Sequence, residues 1–221
     1  MTSDFPPGAF DREDEDDDAF FYDQPRLVTH IDDYAIAAVG EAYRTFLPPG
    51  GDFLDFMSSW VSHFPADFAV GSLAGLGMNA LELSRNPRLD EYAVQDLNRN
   101  ATLPYDDARF DGVVICVSVQ YLTRPVEVFA EIARVLKPGA PLIVCYSNRC
   151  FPMKAVRIWQ ALDDTGHGRL VAHYAARAGG FEPPEVHDFT LNGVPDALKD
   201  RVRSGQAYVD PLYAVVARKR G

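Results

Sequence analysis

From His30 to Phe46 the apolar residues Ile31, Tyr34, Ala35, Ala38, Ala42 and Phe46 recur at steps of three and four, and Pro48-Pro49-Gly50-Gly51 follows. That period predicts a helix with one buried face, closed by the Pro-Gly run. The pattern then shortens. Phe53 to Met57 and Val70 to Leu76 read as strands, and Tyr92 to Gln95 as a brief third, followed by a polar loop from Asp96 to Asp107. Gly112 to Val119 is a continuous valine-rich run, the mark of a strand buried on both faces. Ser58 is placed to cap a short helix through His63, stopped by Pro65, and a further helix spans Asn79 to Arg85. Pro125 to Leu136 sets Val126, Phe129, Ile132, Ala133 and Leu136 on one helical face, Lys137-Pro138-Gly139 ends it, and Pro141 to Tyr146 is a fifth strand. Helical stretches near 154–163 and 169–178 and strands near 186–191 and 207–217 complete the chain. Strands alternating with helices at this spacing predict an α/β fold, an open and mostly parallel sheet with helices on both faces. The last two strands are separated by a short return without a convincing helix, which favours an antiparallel pair at one edge.

Charge changes the picture at the amino end. The net charge of the 221 residues is −11, but residues 1–18 hold eight acids against Arg12, a local −7, which leaves −4 for the rest. Pro, Gly and the acids without periodicity predict a disordered leader over residues 1–20, solvated or serving as an acidic interaction tail, ahead of a single domain at 21–221. The body carries no basic stripe, so no nucleic-acid partner is expected. Cys116, Cys145 and Cys150 form no C-x-x-C pair and have no histidine at ligand spacing, so neither a metal site nor a disulfide is expected. Two of them lie in apolar runs and read as the reduced, buried thiols of a cytoplasmic protein. No basic stretch leads into an apolar segment and no apolar run approaches about 18 residues, so neither a signal peptide nor a membrane partner is expected.

One run gathers strand, loop, helix and turn: Phe110-Asp111-Gly112-Val113-Val114-Ile115-Cys116, Tyr121-Leu122, and Phe129-Ala130-Glu131-Ile132-Ala133-Arg134-Val135-Leu136-Lys137-Pro138-Gly139. It resembles the class I S-adenosylmethionine-dependent methyltransferases, particularly the type 11 branch, which reads F-D-x-V in strand four and E-x-x-R-V-L-K-P-G-G before strand five. Asp96-Leu97 with Leu103-Pro104-Tyr105 is similar to that family's G-D-A-x-x-L-P-F, and Ala178-Gly179-Gly180-Phe181 to its A-G-F before strand six. The likeness covers roughly residues 50–221. It implies a Rossmann-like seven-stranded sheet with an antiparallel edge strand, S-adenosylmethionine as cofactor, and methyl transfer to a small-molecule substrate.

The resemblance also implies site residues, with two departures. The family's L-D-x-G-x-G-x-G loop is replaced by Leu54-Asp55-Phe56-Met57-Ser58-Ser59-Trp60. Asp55 keeps the acid position, Ser58 and Ser59 offer hydroxyls and helix-start amides to the methionyl carboxylate, and the side chains from Met57 onward crowd that path. After strand two, Gly75-Leu76-Gly77-Met78-Asn79 has Gly77 where the ribose-binding acid belongs. Asn79 or Glu82 substitutes for that acid, or Asn79 is a plain helix cap. Asp96 takes the adenine amino group, Leu97 packs nearby, and Val117 and Gln120 line the other side. The cofactor is therefore bound by a modified route or has been lost, and a degenerate fold acting as a non-catalytic binding or regulatory protein is the alternative function.

Methyl transfer needs a base only when the acceptor is protonated. The candidates are Tyr22 and His30 ahead of the first helix and Tyr121 after strand four, with Asn148, Arg149 and Cys150 on the rim. Arg26 is placed to grip a carboxylate or to pair with the acidic leader. His63, His167, His173 and His187 are scattered and read as structural.

Overall fold

The computed structural model describes residues 5–221. Its centre is a seven-stranded sheet in the order β3-β2-β1-β4-β5-β7-β6, with β1 at Asp52–Phe56, β2 at Ser72–Gly77, β3 at Glu91–Val94, β4 at Gly112–Cys116, β5 at Pro141–Tyr146, β6 at Glu185–Asp188 and β7 at Tyr213–Arg218. The pairs β1–β2, β2–β3, β1–β4 and β4–β5 are parallel, and β7 runs antiparallel between β5 and β6. The expected mostly parallel sheet with an antiparallel edge pair is thus observed. Strand order reverses between β1 and β4, which opens a crevice above their carboxyl ends.

Alternating side chains divide the core into two layers. On one face Leu54, Val113, Ile115, Leu142 and Val144 pack with α4 (Pro125–Val135) and α6 (Asp164–Ala178). On the other, Phe53, Val114, Ile143 and Cys145 meet Ala35, Ala38, Val39, Ala42 and Tyr43 of α2 (Asp33–Phe46). Asp32 caps α2 by accepting from the Ala35 amide at 2.8 Å, and Asp163 caps α6 from the Gly166 amide at 2.7 Å. Helices α3 (Ala80–Ser84) and α5 (Arg157–Gln160) are single turns.

Four expectations need correction. No helix follows β1. The Ser58 hydroxyl is turned to Asp55 instead of capping, and residues 57–71 form an irregular connection held by Phe64 and Phe68 against Phe53 and Tyr43. The fourth strand stops at Cys116, because Val117 takes φ 45° and leads into a 3-10 turn at Val119–Tyr121. A helix, α7 (Asp196–Arg203), does fill the return before β7. It buries no residue, so it left no apolar period in the sequence.

The fourth correction concerns the acidic leader, which is packed over residues 5–20; Met1 to Asp4 lie outside the described residues. Phe5 and Phe10 sit on Tyr174 at ring separations of 5.9 and 6.1 Å, and the Ala9 and Asp11 carbonyls accept from the Ile158 and Arg157 amides. Asp14, Asp17 and Asp18 are neutralised rather than solvated. Asp18, 5% exposed, accepts from Arg12 at 2.7 Å and from Asn98 at 3.0 Å. Lys154, only 1% exposed, donates to the Asp16 carbonyl at 2.8 Å and pairs with Asp14 and Asp18 at 3.1 and 3.2 Å. Asp17 caps the short helix α1 (Asp18–Tyr22) and pairs with Arg99 at 2.7 Å. Residues 5–32 therefore form a strap that crosses the carboxyl end of the sheet.

Candidate functional site

Above the reversal between β1 and β4 lies a cavity of about 280 Å³, roofed by the strap. Its floor is the ends of β1, β2 and β4. Its walls are residues 57–63 and the segments after β3 and β5. Ten of the twelve residues assigned to the cofactor line it: Asp55, Met57, Ser58, Ser59, Gly77, Met78, Asn79, Asp96, Leu97 and Val117. Gly75 and Gln120 do not. The absent side chain of Gly75 leaves room for Leu89, and Gln120, 1% exposed, lies a layer below and donates to the Val117 carbonyl at 2.9 Å.

The loop after β1 is built differently from a glycine loop. Met57 itself takes φ 57°, the left-handed conformation that glycine adopts freely, and so turns the chain back across β2. The Ser58 amide donates to the Leu76 carbonyl at 2.7 Å, and a Cβ on Gly77 would lie 2.2 Å from the Ser58 carbonyl oxygen. Gly77 is thus required by this crossing, which explains why no acid stands there. Neither serine hydroxyl is offered outward. Ser58 donates to Asp55 at 2.7 Å and Ser59 to Glu82 at 2.5 Å, and with no helix after β1 there are no helix-start amides. Ser62 donates to Asp55 as well and is itself held by Asn86 at 2.9 Å. Burial pushes the Asp55 carboxyl up to about 6, although both serine hydroxyls favour its charged form. Asn79 is the helix cap, accepting from the Glu82 amide at 3.0 Å while its amide ties the strap at the Tyr22 carbonyl, 2.7 Å.

The opposite wall is less committed. Asp96 accepts from the Asn98 amide at 2.9 Å and keeps its second carboxylate oxygen toward Arg99 at 3.8 Å. Leu97 and Leu122 supply apolar surface, and the buried Ser118 hydroxyl has no protein partner. A carboxylate acceptor, apolar faces and an orphaned hydroxyl fit a purine nucleoside better than the region around Met57 to Ser59 fits an amino-acid carboxylate.

All three proposed bases, Tyr22, His30 and Tyr121, line the cavity. Two are unsuited to that role. Burial raises both phenols, Tyr121 to about 12 and Tyr22 beyond it, so each stays protonated at neutral pH. Tyr121 instead accepts from the Phe151 amide at 2.8 Å. His30 sits edge-on to Phe151 at 5.2 Å, and desolvation lowers its imidazole. His63, read as structural, also lines the cavity; burial and the neighbouring His30 lower it to about 4. Nothing in the sequence singles out His63, because the fold that brings it to His30 is an irregular loop.

Residues 72–144 match the profile of the family described as Methyltransferase domain. A demethylmenaquinone methyltransferase of Clavibacter sepedonicus is 33% identical over 81 residues, which are 36% of this chain and 30% of that protein. The chain spans between a quarter and a third of the length of the curated relatives it matches. Among solved structures, an S-adenosylmethionine-dependent methyltransferase from Mesorhizobium loti superposes with a TM-score of 0.56 at 16% identity, covering 82% of this chain and 98% of the other. The [4+2]-cyclase SpnF superposes with a TM-score of 0.57 at 18% identity, covering 90% of each chain. No helix among the described residues is long and apolar enough to cross a membrane, and no cluster among them is placed to hold a metal ion.

Proposed function

We propose that the chain is a class I S-adenosylmethionine-dependent methyltransferase with its glycine motif replaced, and that it transfers a methyl group to a small metabolite held beneath the strap. The observation that carries this reading is the cavity itself: it opens at the strand-order reversal, has nucleoside-compatible groups on one wall and neutral imidazoles on the other, and is roofed by the chain's own amino-terminal segment. S-adenosylmethionine, when bound, supplies an electrophilic methyl group on a sulfonium. Asp96 and Leu97 would hold the adenine end. Glu82, whose carboxylate stands beside the end of β2 and already accepts from Ser59 and the Arg26 amide, is the acid placed to accept from ribose hydroxyls through its remaining lone pairs. His30, neutral and with the neutral His63 nearby, takes the proton from a hydroxyl or ammonium acceptor, and the strap excludes water. Fixing acceptor and methyl group in line supplies roughly 7–11 kcal/mol of the barrier.

One observation favours the alternative of a non-catalytic binding protein: Met57, Ser58 and Ser59 fill the glycine-loop position and turn their hydroxyls inward. Release of S-adenosylhomocysteine separates the two. Methyl transfer requires turnover with a low-mass metabolite fraction that is absent with the macromolecular fraction and is reduced in a His30→Ala/His63→Ala double variant. No turnover with any fraction, despite cofactor binding, favours the alternative.

A further inference from the structure

Arg26 is the cation of this cavity whose charge is left uncompensated. Each carboxylate lining the cavity is already engaged: Asp18 with Arg12 and Lys154, Asp55 with Ser58 and Ser62, Glu82 with Ser59 and the Arg26 backbone amide, Asp96 with the Asn98 amide. Arg149, the other arginine on the wall, is paired with Asp210 at 2.7 Å. The Arg26 guanidinium reaches no carboxylate among the described residues. It spends one donor on the Phe21 carbonyl at 2.9 Å and lies over the rings of Phe21 and Phe151, 4.3 and 5.4 Å from their centroids. Such packing fixes the plane of the fork and leaves its remaining N–H groups for a bidentate acceptor. The surroundings are aromatic. Phe151 stacks on Tyr121 at 6.0 Å and 28°, His30 meets Phe151 edge-on, and Tyr22 and Trp60 also face the cavity.

We propose that Arg26 recognises the acceptor's carboxylate, and that the substrate is a small planar, aromatic carboxylate lying against Phe151 and Tyr121. The inference rests on the methyl-transfer reading for the word acceptor, but the anion site stands on its own. A ring packed there, its carboxylate on Arg26, has the neutral His30 beside it to deprotonate a ring hydroxyl. The methionyl carboxylate of the cofactor is the other possible source of the same chemistry, and the test distinguishes the two.

The 221-residue chain is titrated by calorimetry with benzoate and with its neutral isostere benzamide, each with and without S-adenosylhomocysteine. Benzoate is expected to bind at least about tenfold more tightly than benzamide, with the preference lost in Arg26→Gln and partly restored in Arg26→Lys. S-adenosylhomocysteine affinity is expected to be unchanged in Arg26→Gln. Equal affinities for the two probes in the wild type overturn the proposal without recourse to any variant. So does a preference that survives Arg26→Gln, or a loss of S-adenosylhomocysteine affinity in that variant, which would assign Arg26 to the cofactor. Failure of the wild type to bind S-adenosylhomocysteine counts against methyl transfer alone, because the benzoate comparison is also made without it.

Discussion

Replacing Lys154 with Met removes the cation around which the strap folds. The side chain is 1% exposed and holds Asp14, Asp18 and the Asp16 carbonyl at once, so its loss strips the neutralising partner from a buried acid and frees a backbone carbonyl. Breaking one side of a buried ion pair costs about 3–5 kcal/mol. Arg12 continues to hold Asp18 at 2.7 Å, which puts Lys154→Met near the lower end. For a chain of this length about 3 kcal/mol corresponds to a fall in melting temperature of roughly 6–12 °C. Thermal melting gives the magnitude, and limited proteolysis gives the location, with cleavage expected first between α1 and α2. An Asp18→Asn partner variant completes a double-mutant cycle, in which the two changes should be clearly less than additive. An unchanged melting temperature with unchanged protease resistance would refute the packed strap.

Three further outcomes follow from the cavity walls. Asp96→Ala is expected to weaken S-adenosylhomocysteine binding by about 1–3 kcal/mol while leaving the fold intact, and calorimetry with a melting control checks both. Gly77→Ala places a Cβ 2.2 Å from a backbone oxygen that cannot swing away, so its urea midpoint should fall by the equivalent of about 1–3 kcal/mol and the 57–62 loop should lose protease protection. Asp55 titrates at about 6 when folded against an ordinary 3.8, so the folded state holds a proton that the unfolded chain lacks between those values. Its favourable contribution is present at low pH and is lost as pH rises through about 6. Asp55→Asn should therefore gain on the wild type across that window, by on the order of 3 kcal/mol in paired denaturation curves at both ends, and a pH-independent difference would disprove the shift.

The legible parts of this chain were those where one physical signal dominated. The valine-rich run from Gly112, the one-faced helix from Pro125 to Leu136 and the Lys137-Pro138-Gly139 stop specify β4, α4 and the turn to β5, although the strand ends at Cys116 and not at Val119. Ten of the twelve positions that the family resemblance assigns to a cofactor line the cavity because they lie at or just after strand ends, which topology brings together. The acidic leader was illegible because its partners, Lys154 and Asn98, are far away in sequence, and composition counts charges without showing what neutralises them. Ser58 looked like a helix cap because the same hydroxyl chemistry serves a cap and a buried carboxylate, and only the tertiary position of Asp55 decides between them. Helix α7 escaped because all its side chains face outward or half-outward, leaving helical propensity without an apolar stripe.

Calorimetric titration of the 221-residue chain with S-adenosylhomocysteine up to millimolar concentration tests most directly whether a cofactor site survives without its glycine loop. Saturable one-to-one binding is expected between about micromolar and millimolar, weakened in Asp96→Ala and accompanied by a rise in melting temperature. No heat and no thermal shift across that range would contradict it and leave the cavity to a ligand of another kind.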